Sequence, residues 1–426
     1  MLKSRHPVPA RAWLLLLLAG VAGMLFYIDR QTLSVLKPTL KVEMGWSDTH
    51  YSWLVTAFMV PYTLCYLVTG QLIDRWGTRL MMPLFLGVMS VATMLTGLAG
   101  NLWTMAACRF VLGAAEAGIV PAVLVAIVTW FPRDLRGTAN TFNKPLTVSG
   151  QILVAPLAAW ITAGIGWRWA FLLPGLASLI AARMWWTLDR SPPEYGAPPA
   201  PASPPTYREV IRTKAIRGVL LARIISDPLW FFLIFWQPGF LQEELGMTLE
   251  KFGQVGWIPA AASVGFIMVF GVTSDWLIRR GWSPAASRIR ILMAVSLLSP
   301  AILVLRWVDH HGLAITLLTI VQVMTATWLS MTGLLMSDLV PRRMVGTAVA
   351  IMSAFGAAMG TVFNLCAGPL IESVGYSTLL VLASLLHPLA AGILWWNYGH
   401  SRTGPDQTSA ADTLAPQPLP AVPPGR

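Results

Sequence analysis

The sequence predicts an all-α integral membrane protein of twelve transmembrane helices, arranged as two six-helix pseudo-symmetric bundles with both termini cytoplasmic. Three observations carry this prediction: scarce charge, long apolar runs, and loop motifs that recur between the halves. Only 12% of the 426 residues are charged and 55% are apolar, against about 25% and 45–50% in soluble globular chains. A mean hydropathy of +0.62, with 20 Trp and 35 Gly, fits Gly-tolerant helices in lipid with aromatic residues near its interfaces. The net charge of +11 lies mostly in short loops, where it marks topology and not a nucleic-acid partner.

A spanning helix needs about 20 predominantly apolar residues. Such runs fall at 13-36, 51-73, 80-100, 102-125, 139-162 and 167-187, and again at 217-240, 252-273, 288-306, 312-337, 344-368 and 376-397. The first follows Lys3, Arg5 and Arg11, as a secretory signal would. It runs from Trp13 to Ile28 before its first charge, longer than the roughly 7–15 residues of a cleavable apolar region, and is read as a retained helix. The organisation expected is a cytoplasmic segment 1-12, a bundle 13-187, a Pro-rich basic linker 188-216, a bundle 217-398 and a disordered cytoplasmic tail 399-426. The linker holds Pro192, Pro193, Pro198, Pro199, Pro201, Pro204 and Pro205 before Arg208, Arg212 and Lys214, a composition expected to stay extended.

The basic residues orient the chain. Placing the N-terminus inside puts Arg75, Arg79, Arg133, Arg136, the linker cations, Arg279, Arg280, Arg288, Arg290, Arg342 and Arg343 in the cytoplasm. It leaves Lys37, Lys41, Arg168, Lys251 and Arg306 outside, the expected asymmetry. Location in a bacterial inner membrane follows as an expectation. Cys65, Cys108 and Cys366 sit in apolar runs without metal-ligand spacing, and His310 and His311 fall in an outer loop, so no disulfide, metal or cofactor is expected.

The loop after the second span reads GQLIDRWGTR (Gly70 to Arg79), and the loop after the eighth reads GVTSDWLIRR (Gly271 to Arg280). FPRDLRGTA (Phe131 to Ala139) is echoed by VPRRMVGTA (Val340 to Ala348). Both pairs lie about 200 residues apart, as an internal duplication places them. Acids and cations at the inner ends of neighbouring helices can pair when those ends meet and separate when they part. Gly70, Asp74, Arg75, Gly77, Arg79, Arg133, Arg136, Asp275, Arg279 and Arg342 are therefore candidates for an inner gate; the bland alternative is solvated loop charge. GQLIDRWGTR resembles the signature loop of the major facilitator superfamily. YIDRQTLSV in the first helix, RFVLGAAEAGIVPA in the fourth and SDPLWFFLIFWQPGFL in the seventh resemble the anion:cation symporter family of hexuronate, aldonate and other organic-acid transporters.

Charges inside the membrane cost several kcal/mol, with estimates from about 3 to above 10. In the first half they are Asp29, Arg30, Arg109 and Glu116. Asp29 and Arg109 lie at matching depths and are expected to pair, leaving Arg30 for a ligand. Glu116 lies seven residues, two turns, beyond Arg109 on the same face. Two acids beside two arginines supply an anion site and a proton site together; interhelical glue is the alternative. Arg30 suits a carboxylate through its planar fork, and Asp29 and Glu116 are the candidate proton carriers. The resemblance implies the same roles: proton-coupled import of an organic carboxylate, a hexuronate or aldonate foremost, by alternating access in a monomer.

Tyr27, Tyr66, Thr147, Gln151, Trp236, Gln237 and Asn364 are candidate substrate contacts beside Arg30 and Arg109. Thr147 departs from the family pattern, because many relatives carry a substrate-contacting Gln nearby. Arg223 and Asp227, four apart in the seventh helix, are expected to pair within it as structural or gating groups. Aromatic or short-chain carboxylates, and a ligand sensor that moves nothing, are the alternative readings. No HExxH, GxSxG or GxxxxGK[ST] motif supports an enzyme or a P-loop pump.

Overall fold

The computed structural model describes residues 8–132, 134–190, 207–341 and 344–398. The expected gate residues Arg133 and Arg342, most of the linker and the tail lie outside the described residues. The chain runs through α1 (Ala10–Val35), α2 (Lys37–Met44), α3 (Asp48–Leu98), α4 (Leu102–Glu116), α5 (Ile119–Trp130), α6 (Arg136–Ile165) and α7 (Trp169–Leu188). It continues through α8 (Tyr207–Arg212), α9 (Lys214–Phe235), α10 (Gln237–Gly239), a π-helical turn Phe240–Glu244, α11 (Leu249–Val255), α12 (Ile258–Arg279) and α13 (Pro284–Ser296). Last come α14 (Ala301–Val304), a 3-10 turn Leu305–Trp307, α15 (His311–Leu339) and α16 (Val345–Tyr398).

Among the described residues, ten helical stretches are long and apolar enough to cross a membrane. Two of them, α3 and α16, carry a non-helical glycine inside, Gly77 at φ 74° and Gly375 at φ 73°. Only glycine takes that backbone region without strain, so each of these long elements reverses there. Polar caps set other starts: Ser47 accepts from the His50 backbone, Asn101 from Thr104 and Ser283 from Ala286. The basic end of the linker, expected to be extended, instead forms α8, because Val210 within it finds a fully buried site.

Among the described helices, α1 packs on α6, and α3 on α4 and α7; later in the chain α9 packs on α16, and α15 on α12 and α13. Contacts of α3 with α16 and of α6 with α11 join the two sets. Small residues bring the site-bearing helices together. A Cβ on Gly113 would stand 2.1 Å from the Phe58 carbonyl oxygen, and one on Gly150 would stand 2.2 Å from that of Met24. Backbone cannot yield as a side chain can, so Gly113→Ala is expected to destabilise the fold by about 1–3 kcal/mol. A lower melting temperature in detergent checks this; an unchanged one contradicts the close approach.

Candidate functional site

A cavity of about 280 Å³ lies between the two sets of helices, lined by Phe26, Tyr27 and Arg30 of α1, Tyr62, Thr63 and Tyr66 of α3, and Val120 of α5. From the other side come Arg223, Asp227, Trp230 and Phe231 of α9, Leu329 of α15, and Ser353, Ala354 and Ala357 of α16. A larger space of about 750 Å³, bordered by Lys251, His310, His311 and Ile315, is lined by the second set alone. A site that both halves must grip alternately needs both halves in its wall, so the smaller cavity is the candidate.

Arg30 is its cationic centre. Its Nε and Nη2 donate to Glu116 Oε2 at 3.3 and 3.1 Å, and its guanidinium lies 4.2 Å from the Phe26 ring centre, 4.4 Å from Tyr62 and 5.0 Å from Phe58. Stacked rings fix the plane of the fork and add cation–π attraction where water is excluded. The expected Asp29–Arg109 side-chain pair is not formed. Asp29 instead accepts from the Thr93 hydroxyl at 3.1 Å, and Arg109 Nη1 reaches only the Asp29 main-chain oxygen at 3.3 Å. Adjacent residues on a helix point about 100° apart, so α1 turns Asp29 toward α3 while Arg30 takes the acid at the end of α4. Arg109 is fully buried. Its Nε and Nη2, Asp29 Oδ1 and Glu116 Oε1 have no protein partner, which leaves the quartet incompletely satisfied in a dry site, where unpaired polar atoms are costly.

The other candidates divide by place. Tyr27 and Tyr66 line the cavity. Gln151 is buried, and Thr147 bonds Asn143 at 3.2 Å in the α1–α6 seam, where it presses on Gly23. Trp236 donates to Asn364 at 2.9 Å, both fully buried, with Gln237 buried beside them; these three form a seal, not a wall. Tyr62, Thr63 and Ser353 were not among the sequence candidates, because hydroxyl residues in apolar helices are common and carry no spacing signal.

Beyond that seal the bundle is closed by charge. Lys37, fully buried, reaches Asp48 at 2.5 Å, Glu243 at 2.8 Å and the Tyr376 hydroxyl at 2.7 Å. Lys41 reaches the same two acids at 3.0 and 3.2 Å. The Thr49 backbone and hydroxyl donate to Glu372 at 2.8 and 2.7 Å, and Tyr51 donates to the Phe235 carbonyl at 2.7 Å. Asp48 belongs to the same half as the lysines; the contacts to Glu243, Tyr376, Glu372 and Phe235 cross from the first half to the second. In the sequence Lys37 and Lys41 read only as loop charge; the signal available is two lysines a turn apart, near Asp48.

At the opposite end no ion pair among the described residues engages Asp74 or Asp275, and both are exposed with Arg75, Arg79 and Arg279. Arg75 and Arg79 lie 5.5 Å from the rings of Trp76 and Trp186, while Arg136 donates to the Phe131 and Val128 carbonyls. Gly70 is half-buried and Gly77 makes the helix break. Among the described residues, the gate acids Asp74 and Asp275 are therefore in no ion pair in this conformation, while the other end is shut.

A cavity shared by two helix sets, shut at one end by ion pairs and holding an arginine–acid pair, defines a membrane carrier. Residues 19–364 match the Major Facilitator Superfamily model, and the chain belongs to that superfamily. It is 27% identical over 411 residues to the hexuronate transporter of Escherichia coli K12, covering 90% of this chain and 93% of that one. It is 25% identical over 407 residues to the D-galactonate transporter of E. coli O6:H1, covering 89% and 94%. Among solved structures, a bacterial homologue of the human lysosomal transporter Spinster, inward-facing and unoccupied, superposes with a TM-score of 0.75 at 17% identity over 92% of this chain and 98% of that one. A D-xylose-proton symporter does so with a TM-score of 0.68 at 16% identity, covering 90% and 97%.

Proposed function

We propose that the protein is a proton-coupled symporter that imports a sugar acid across the bacterial inner membrane by alternating access. The observation that carries the reading is the Arg30–Glu116 pair in the cavity wall: a carboxylate receptor in direct contact with a group that can take a proton. The sugar-acid relatives support the cargo, and the tyrosine, threonine and serine residues that line the cavity suit a polyol. Splitting α3 and α16 at Gly77 and Gly375 makes twelve spans of the ten stretches, an even number that returns both termini to the basic, cytoplasmic side. The first six spans and the last six are then the two moving bodies, joined by the 188-216 linker, and the lysine-sealed end faces outward.

In this reading a substrate carboxylate competes with Glu116 for the Arg30 fork. Protonation of Glu116 releases the fork, and the neutral acid lowers the desolvation cost of the loaded carrier. Asp29 is the second proton carrier; Arg109 holds it through the main chain. The outer seal must open for loading, and the inner charges, Asp74, Arg75 and Arg79 with Asp275 and Arg279, come together as it does.

The direct test is uptake by purified protein in proteoliposomes under an inward proton gradient, across hexuronates, aldonates, aromatic carboxylates and neutral sugars. Accumulation of a sugar acid that collapses with an uncoupler supports the reading. Movement of aromatic or short-chain acids alone removes the cargo assignment, and binding without movement turns the protein into a sensor. The seal has its own test. Lys37→Met leaves Asp48 and Glu243 facing each other with one cation fewer, so the outward-open population is expected to rise on the order of tenfold. Faster labelling of Ser52→Cys by an impermeant maleimide, in a background lacking Cys65, Cys108 and Cys366, reads this; unchanged labelling removes Lys37 from the gate.

A further inference from the structure

Arg30 receives one carboxylate, which leaves Arg223, on the opposite wall of the same cavity, without a role in transport. The two walls are built alike. Each arginine gives its Nε–Nη2 edge to an acid of its own half: Arg30 to Glu116, and Arg223 to Asp227 at 2.7 and 2.8 Å. A planar guanidinium used along that edge turns its Nη1 end away from the acid, with hydrogens to spare. On Arg223 that end makes one long bond, 3.3 Å, to Thr332 Oγ1, a hydroxyl that itself donates to the Trp328 carbonyl at 2.8 Å.

The pair is also held in place from behind. Asp227 Oδ2 occupies the space a side chain at residue 356 would need, since a Cβ on Gly356 would stand 1.8 Å from it. Ser226, next in the chain, accepts from Trp328 Nε1 at 2.8 Å. A helix needs no such arrangement to hold its own turn together, and two charges in a cavity wall are an expensive way to do so. Facing Arg30 across a cavity, however, they complete a two-ended receptor.

We propose that Arg223 receives a second carboxylate, so that the cargo is a polyhydroxy dicarboxylate with one acid group bound in each half of the carrier. Tyr27, Tyr62, Tyr66, Thr63 and Ser353 line the same cavity and give it hydroxyl groups that can serve a polyol backbone. A monoacid satisfies one wall and leaves the other pair closed on itself. A diacid bridges both walls and ties occupancy to the approach of the two halves. Each carboxylate displaces an acid that is free to take a proton from solution, Glu116 on one side and Asp227 on the other. The site thus keeps its charge when the dianion enters.

The inference rests on the carrier reading of this cavity, and the experiment separates the two. Proton-driven uptake is measured in proteoliposomes with galactarate, galactonate and galactitol, for the wild type and for Arg223→Gln/Asp227→Asn. The double variant removes cation and acid together, so neither is left buried alone. Wild type is expected to take the diacid with a KM at least about tenfold below that of the aldonate, and the variant to bring the ratio near one, the loss of a charge-assisted bidentate contact. Arg223→Lys, which keeps the charge but not the fork, should fall between. Equal wild-type KM values, or a variant that leaves the ratio untouched, overturn the second-carboxylate site while the carrier reading stands; no proton-driven uptake of galactarate overturns that site too, and a hexuronate measured in the same vesicles decides whether the carrier reading falls with it.

Discussion

Replacing Glu116 with glutamine is expected to abolish accumulation of substrate against its gradient while exchange across the membrane continues. Glutamine has the shape of a protonated glutamate, and its carbonyl oxygen can still accept from Arg30, which Glu116 now holds at 3.1 and 3.3 Å. It cannot release or take up a proton. The variant is thus locked in the loaded-like charge state, where the Arg30 fork is less strongly occupied and the substrate carboxylate binds without competition. A carrier coupled to one proton concentrates its cargo about tenfold per pH unit of gradient, each decade being about 1.4 kcal/mol. That factor should fall to one in Glu116→Gln. Counterflow of labelled against unlabelled substrate should survive, which distinguishes uncoupling from damage. Continued concentrative uptake would move the proton site elsewhere, to Asp29 first, and Asp29→Asn measured in parallel reads that alternative.

The architecture was legible because the bilayer imposes a coarse code. Runs of about 20 apolar residues, read at 13-36 through 376-397, fall on helices from Ala10–Val35 to Val345–Tyr398, and the duplicated loop motifs point to the superfamily that the chain matches. The helix reversals at Gly77 and Gly375 are also visible, since each lies between apolar runs. Pairing was less legible. That Asp29 and Arg30 lie level with Arg109, and Glu116 two turns further along the same face, follows from counting residues, but which acid meets which arginine depends on helix rotation. Rotation is set by contacts such as Gly113 against Phe58 and Gly150 against Met24, and nothing in one sequence reports these. The Lys37 cluster was hidden for a different reason. Its partners, Asp48, Glu243 and Tyr376, come from three separate segments, and each alone is ordinary at a helix end. Trp236 and Asn364 have the chemistry of substrate contacts, but in the fold they satisfy each other as part of the seal.

Arg30→Lys is the sharper of the two changes at the cationic centre. Arg30→Ala should abolish binding, but it also leaves Glu116, 1% exposed, without a cation in a dry site, so a poorly folded protein would give the same result. Lysine keeps the charge beside Glu116 and sacrifices geometry. It cannot place two parallel donors on a carboxylate, and a compact ammonium is more strongly hydrated than a guanidinium that lies against Phe26, Tyr62 and Phe58. The loss expected from breaking a buried, charge-assisted pair is about 2–5 kcal/mol; with the charge retained, the lower end applies, a rise in Kd of roughly thirtyfold. Tryptophan fluorescence or calorimetric titration of the purified protein with a sugar acid measures it, alongside a melting curve that should barely move. Binding within a few-fold of wild type would mean that Arg30 serves Glu116 alone. The carboxylate receptor would then be sought at Arg223, the other arginine that faces the cavity.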